Sequence, residues 1–238
     1  MKRLITKIGK IPVILWGDKS SRIYIYVHGK RSSKEEAQGF AEKAVSKGYQ
    51  VLSFDLPEHG DRENENYPCM AWNGVCDLEI IGNHVRQNWS DISLCGNSLG
   101  AYFSLLAYKD FPFRKCLFLS PILDMERLIK NMMKWSGVSE LELKEKHEIA
   151  TPMGETLNWD YFCYVRENPI CKWDTPTSIL YGSEDAMTER DIVEGFTERF
   201  HCDLTVLEGS EHWLHTERQL AFLNDWIESQ ISGLPFKS

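Results

Sequence analysis

What this chain has little of narrows its function first. Positive charge is in deficit: 27 Lys and Arg stand against 35 Asp and Glu, a formal net charge of −8. A nucleic-acid binder needs a basic face to neutralise phosphates, and anionic lipid also selects basic segments. No nucleic-acid partner and no membrane partner is therefore expected. Long apolar runs are missing too, since no segment approaches the roughly 18 apolar residues of a membrane span. The stretch MKRLITKIGKIPVILWGDKS is basic and then apolar, but Lys7, Lys10 and Pro12 interrupt it. It reads as a strand rather than a signal peptide. The seven cysteines include no C-x-x-C pair, which fits reduced thiols and a cytoplasmic location better than a disulfide framework. Walker, G-x-G-x-x-G and H-E-x-x-H motifs are absent, and no Cys/His set has zinc spacing. No cofactor and no metal is implied; the pair His212 and His215 alone does not make a metal site.

What is present is ordinary globular material, 42% hydrophobic and 26% charged. No internal repeat or low-complexity tract occurs, and residues 1–238 read as one domain. Short, nearly continuous apolar runs predict strands at Arg22–Gly29, Tyr49–Asp55, Asp91–Cys95, Lys115–Ser120, Thr177–Gly182 and Asp203–Gly209. Such runs suit strands covered on both faces. Between them, apolar residues recur at three- and four-residue steps over Lys34–Lys47, around Val75–Val85, over Ile192–Phe200 and over Leu220–Ile227. These stripes are helices packed on the sheet. Alternation of this kind gives a mostly parallel, doubly wound α/β sheet, whose ligand sites lie at the carboxyl ends of the strands. Residues 124–174 break the rhythm. The segment is charged, rich in Met and Trp, and reads as two or three helical pieces without a strand, a cap-like insertion.

At Gly96-Asn97-Ser98-Leu99-Gly100 an apolar run that reads as a strand gives way to a helical pattern. The pattern is G-x-S-x-G, for which chance gives roughly 0.08 matches in a chain this long. A sharp strand-to-helix turn forces the serine into strained backbone, and residues two away must be small to avoid collision. The helix that follows points N–H groups at the site and favours negative charge there.

On these residues the chain resembles the α/β-hydrolase family. That family carries an acid and a base after later strands in the order Ser, Asp or Glu, His. Here TSILYGSEDAM places Asp185 after one strand and DLTVLEGSEHWLH places His212 after the next. The resemblance implies Ser98 as nucleophile, His212 as general base and acid, and Asp185 as the group that orients the imidazole. Glu184 and His215 are neighbouring alternatives. It also implies an oxyanion hole made by the backbone N–H groups of Leu99 and of Lys30, the latter following the His28-Gly29 pair in VHGKRSS. FDLPEHGDRE looks like a scaffold loop of the family, with Asp55 and His59 as structural hydrogen-bonders and an Asp55–Arg62 ion pair to pin it. Trp213 and His28 are expected to contact substrate, and Trp72, Trp135 and Trp159 are further candidates for an apolar acyl pocket.

The expected activity is that of a serine hydrolase cleaving a carboxylic ester of a small acyl substrate through an acyl-enzyme. Peptidase, amidase or thioesterase chemistry on the same residues stays open, as does a non-catalytic binding scaffold. The sequence leaves the oligomeric state open.

Overall fold

The computed structural model describes residues 1–233. Two N-terminal strands, β1 (Arg3–Ile8) and β2 (Ile11–Trp16), form an antiparallel hairpin. The stretch expected as one strand is thus folded back at Gly9, which has φ 59°. Then come β3 (Arg22–Val27), α1 (Gln38–Ser46), β4 (Gln50–Phe54), α2 (Ala71–Asn88), β5 (Asp91–Asn97), α3 (Leu99–Ala107) and β6 (Cys116–Leu119). The helix expected over Lys34–Lys47 opens as a 3-10 turn at Lys34–Ala37 before α1 begins. After an insertion, β9 (Thr177–Gly182), α7 (Arg190–Phe200), β10 (Asp203–Leu207) and α8 (Glu217–Ser232) complete the chain.

The eight long strands form one sheet in the order β1-β2-β4-β3-β5-β6-β9-β10. β2 runs antiparallel to both neighbours, and every pair from β4 to β10 is parallel. Successive side chains of a strand point to opposite faces. Along β3, Ile23, Ile25 and Val27 accordingly join the core under α2, α3 and α7, whereas Tyr24 and Tyr26 join the core under α1 and α8. The inner strands read as unbroken apolar runs because both faces are covered.

The insertion holds α4 (Met125–Trp135), α5 (Glu140–Lys146) and α6 (Trp159–Glu167). It also holds an antiparallel hairpin, β7 (Glu148–Ala150) with β8 (Thr156–Asn158), where no strand was expected. Three-residue strands are too short to show a period-two pattern. The turn between them is closed by Thr151, whose N–H and hydroxyl both donate to the Glu155 carbonyl at 2.8 Å.

The loop after β4 is held by a buried ion pair, but not the expected one. Asp55 is fully buried and accepts from the Lys34 ammonium at 2.7 Å, the Lys34 N–H at 2.8 Å and the Asp61 N–H at 3.1 Å. Burial pulls the Lys34 ammonium down, yet Asp55 and Asp61 more than offset this and leave its pKa raised. Arg62 pairs instead with Asp77 at 2.5 Å and Glu65 at 2.9 Å, and gives Asp55 only a bond to its carbonyl. The reason is reach: the 3-10 turn drops Lys34 onto the carboxylate from the neighbouring loop. Lys34→Met should therefore strand a buried charge and cost about 3–5 kcal/mol, seen as a lower denaturation midpoint with unchanged slope. A shift below about 1 kcal/mol would mean the pair behaves like a surface contact.

Candidate active site

Ser98 sits between β5 and α3 with φ 48° and ψ −113°, a region that L residues avoid. Its glycine neighbours are required by close approach rather than by their own dihedrals. A Cβ on Gly100 would lie 2.4 Å from the Val27 carbonyl oxygen, and one on Gly96 would lie 2.9 Å from the Ala101 Cα. Below 3.0 Å the backbone itself would have to move. The serine N–H donates to the Leu119 carbonyl at 3.0 Å, and its carbonyl accepts from Ala101 and Ile122 at 3.1 and 3.3 Å. Asn97 donates to Glu36 at 2.8 Å, and Tyr26 donates to the same oxygen at 2.9 Å.

The expected partners arrive from the ends of β9 and β10. The Ser98 hydroxyl lies 2.8 Å from His212 Nε2, and His212 Nδ1 lies 2.7 Å from Asp185 Oδ2. Asp185 is buried, and its other oxygen accepts the N–H groups of Met187 and Thr188 at 2.7 and 3.0 Å. Those bonds fix the carboxylate, so Nδ1 carries the proton and Nε2 is free to accept from Ser98. Glu184 is exposed. His215 stacks on Trp213 and precedes the Thr216 cap of α8, whose capping box with Gln219 starts that helix.

The loop after β3 is braced by two histidines. His28 is fully buried; its Nε2 accepts the Leu56 N–H at 3.0 Å and its Nδ1 donates to the Gly29 carbonyl at 2.7 Å. His59, on the opposite loop, accepts the Arg31 N–H at 3.0 Å and donates to the Pro57 carbonyl at 2.7 Å. Each imidazole thus holds a backbone N–H of the other's loop. His28 does not line the serine's cavity, so the expectation that it contacts substrate is corrected: its ring is spent on backbone. Gly29 packs against the strand-to-helix turn, a Cβ there lying 3.4 Å from the Ser98 Cβ. Lys30, next along, lines the same cavity as Ser98 and Leu99. As the first residue of α3, Leu99 has no intrahelical acceptor for its N–H.

That cavity has a volume of about 130 Å³. Its apolar wall is the α4 stripe Met125, Leu128, Ile129 and Met132, with Ile122, Leu157 and Met187. None of the tryptophans expected there lines it. Trp213 is 75% exposed, and Trp72 packs edge-on against Tyr161 and Tyr164. Cys69 also faces the cavity, but burial pushes its thiol up to about 12, so it stays protonated. At the rim Glu155, from the β7–β8 turn, bonds to the ammonium of Lys30 and to Arg31 at 3.0 Å. Sequence reading missed Glu155, because nothing local ties it to a loop 125 residues earlier.

Comparison with known proteins gives the family and the fold. The α/β-hydrolase family model matches residues 25–226, and the chain belongs to that family. "Hydrolase phmG" of Phaeosphaeria nodorum is 28% identical over 127 residues, 49% of this chain and 26% of that protein. A "probable serine hydrolase" of Drosophila melanogaster is 27% identical over 110 residues, 44% of this chain and 31% of that protein. The matches thus span about a third or less of these curated relatives. Among solved structures, Est1E from Butyrivibrio proteoclasticus with ferulic acid bound superposes with a TM-score of 0.80 at 15% identity. That match covers 97% of this chain and 98% of Est1E. Among the described residues, no helix is long and apolar enough to cross a membrane.

Burial lowers the pKa of His28 below its ordinary value of 6.5. The unfolded chain therefore takes up a proton there before the folded protein does. Stability from this site is fully present above about pH 6.5 and is lost as pH falls toward the lower folded value. Melting temperature should fall more steeply between about pH 7 and about pH 5.5 in the wild type than in His28→Gln. Parallel profiles would show that the ring carries no such linkage.

Proposed function

We propose that this protein is a serine hydrolase that cleaves a carboxylic ester of a small molecule through an acyl-enzyme. The observation that carries this reading is the unbroken chain Ser98–His212–Asp185 at 2.8 and 2.7 Å, ending on a strained serine beside an apolar cavity. A serine hydroxyl is a poor nucleophile at neutral pH, so His212 takes its proton as Oγ bonds to the ester carbonyl carbon. Asp185 stabilises the imidazolium that forms. The carbonyl oxygen becomes an oxyanion, held by the N–H groups of Leu99 and Lys30, each worth about 3 kcal/mol of transition-state stabilisation. Collapse breaks the ester C–O bond, and His212 returns the proton to the leaving alcohol. Water, deprotonated by the same ring, then attacks the acyl-enzyme and frees the acid and Ser98.

The cavity supports an apolar acyl group. Its volume of about 130 Å³ favours short chains. Three methionines in its lining can re-pack around different groups. Residues 124–174 act in this reading as a cap, latched by Glu155 to the loop that supplies one oxyanion donor. The relatives described as hydrolases, and the aromatic acid bound to Est1E, support acyl chemistry. The seven free thiols suit a reducing, cytoplasmic setting.

The test is turnover on a panel of p-nitrophenyl esters of rising chain length, with matching thioesters and anilides. Short esters should be cleaved best. Ser98→Ala should abolish turnover with little change in melting temperature. Asp185→Asn should lower kcat by about three to four orders of magnitude, whereas Glu184→Gln should leave it intact. Preference for anilides would make the enzyme an amidase, and full activity of Ser98→Ala would overturn the reading.

A further inference from the structure

The charge at the mouth of the Ser98 cavity is unevenly shared. Among the residues that line this cavity, only Lys30 and Glu155 carry charge. Glu155 bridges two cations, one on each carboxylate oxygen: the Lys30 ammonium bonds to Oε2, and Arg31 donates to Oε1 at 3.0 Å. Arg31 also donates to the Met153 carbonyl at 3.5 Å. Two cations thus share one carboxylate, at the mouth of a chain whose net charge is −8. Glu58 is the other acid close by. It is exposed and turned onto the Cys69 N–H at 2.6 Å, and among the described residues it pairs with neither cation.

The cations are placed by their loop. Arg31 stands at φ 61°, which is uncommon for a residue other than glycine, and His59 holds its N–H at 3.0 Å. Lys30 carries the N–H assigned above to the oxyanion, so its ammonium hangs from the backbone that meets the reacting carbonyl. Its charge also acts inside the cavity. Burial pushes the Cys69 thiol up, and of the charges that act on this thiol the opposing pull of Lys30 is the largest.

The carboxylate, in contrast, has a movable support. Glu155 sits in the turn between the three-residue strands β7 and β8, and Pro152, Met153 and Gly154 of that turn are exposed. The side chains of Lys30 and Arg31 are 49% and 68% exposed, so water and salt weaken their hold on it. Exchanging Glu155 for another carboxylate moves a surface turn and leaves the core in place.

We propose that Glu155 holds the place of a substrate carboxylate, and that the ester cleaved at Ser98 is a short-chain acyl ester of a hydroxycarboxylic acid. The inference rests on the hydrolase reading and names its substrate class. The acyl chain lies against the apolar α4 wall, which leaves the alcohol half facing the rim. The carboxylate of that half replaces Glu155 between Lys30 and Arg31, and the turn swings aside. Hydrolysis breaks the ester C–O bond; water supplies the hydroxyl of the released acyl acid and the proton of the released hydroxy acid. Glu155 then returns to the two cations.

The probes are 4-carboxyphenyl butyrate and 4-carbamoylphenyl butyrate, which share an acyl group and a shape and differ by one negative charge. The readout is the ratio of kcat/KM for the charged ester over the neutral one at low salt. Comparing that ratio between proteins cancels the intrinsic reactivity of the two esters. It should fall about fivefold in Arg31→Gln, the size of one exposed ion pair, and rise in Glu155→Gln, where the competitor is gone. Added salt should shrink it in the wild type. A Glu155 that served only as a latch would change both esters by the same factor. A ratio that neither variant moves, or one that falls in Glu155→Gln, therefore overturns the proposal and leaves the hydrolase reading standing. Both substitutions lie at the surface, and if one variant fails to fold the other decides. Turnover of neither ester by a protein whose Ser98 still takes a fluorophosphonate label overturns the substrate class alone. Turnover of neither, with no label, overturns the hydrolase reading as well.

Discussion

The strained turn at Ser98 is the constraint on which the rest of the site depends. A residue at φ 48° and ψ −113° persists only where its surroundings over-determine it. Here they do so from every side: β6 takes the serine N–H, the segment entering the insertion gives its carbonyl a donor, and α3 presses Gly100 against the end of β3. A Cβ at either flanking glycine would push the helix off the sheet. The turn also sets the height of the hydroxyl, and only at that height can an imidazole from the β10 loop and a carboxylate from the β9 loop line up behind it.

Around that fixed point the protein places donors by hydrogen bonding rather than by bulk. The loop bearing Lys30 has no secondary structure of its own. It is held by crossed bonds, His28 to Leu56 and Arg31 to His59, and by the buried Lys34–Asp55 pair beneath. Glu155 adds a charged tie from the insertion above. The order of strength differs. The imidazoles and Asp55 are buried, so water does not screen their bonds, whereas Lys30 and Arg31 are exposed enough for salt to loosen theirs. The insertion is thus tied to the rest by its weaker contacts and packed by its apolar ones.

Much of this was legible because it is local. The six central strands follow from apolar runs, and the strand-to-helix turn follows from five consecutive residues. Ser98, Asp185 and His212 could be named as a set because each lies in the turn or loop after a strand, and the sheet brings those strand ends together. What was not legible depends on distance. Asp55 was paired with the nearer Arg62, but folding delivers Lys34. The tryptophans were expected at the cavity on grounds of size, yet Trp213 points to solvent, and the wall is a Met/Leu/Ile stripe of α4 whose facing is fixed by packing. His28 carries a family motif and an imidazole, and only the Leu56 N–H shows that the ring serves the backbone. The β7–β8 hairpin has strands too short for periodicity to register.

The central claim is that folding activates Ser98. The direct measurement is labelling of the whole protein with a fluorophosphonate probe, followed by peptide mapping of the adduct. The account predicts one adduct, on Ser98, lost when His212 is replaced by alanine in a protein that still folds. A folded, monodisperse sample that gives no adduct, or one labelled at another residue, would contradict it.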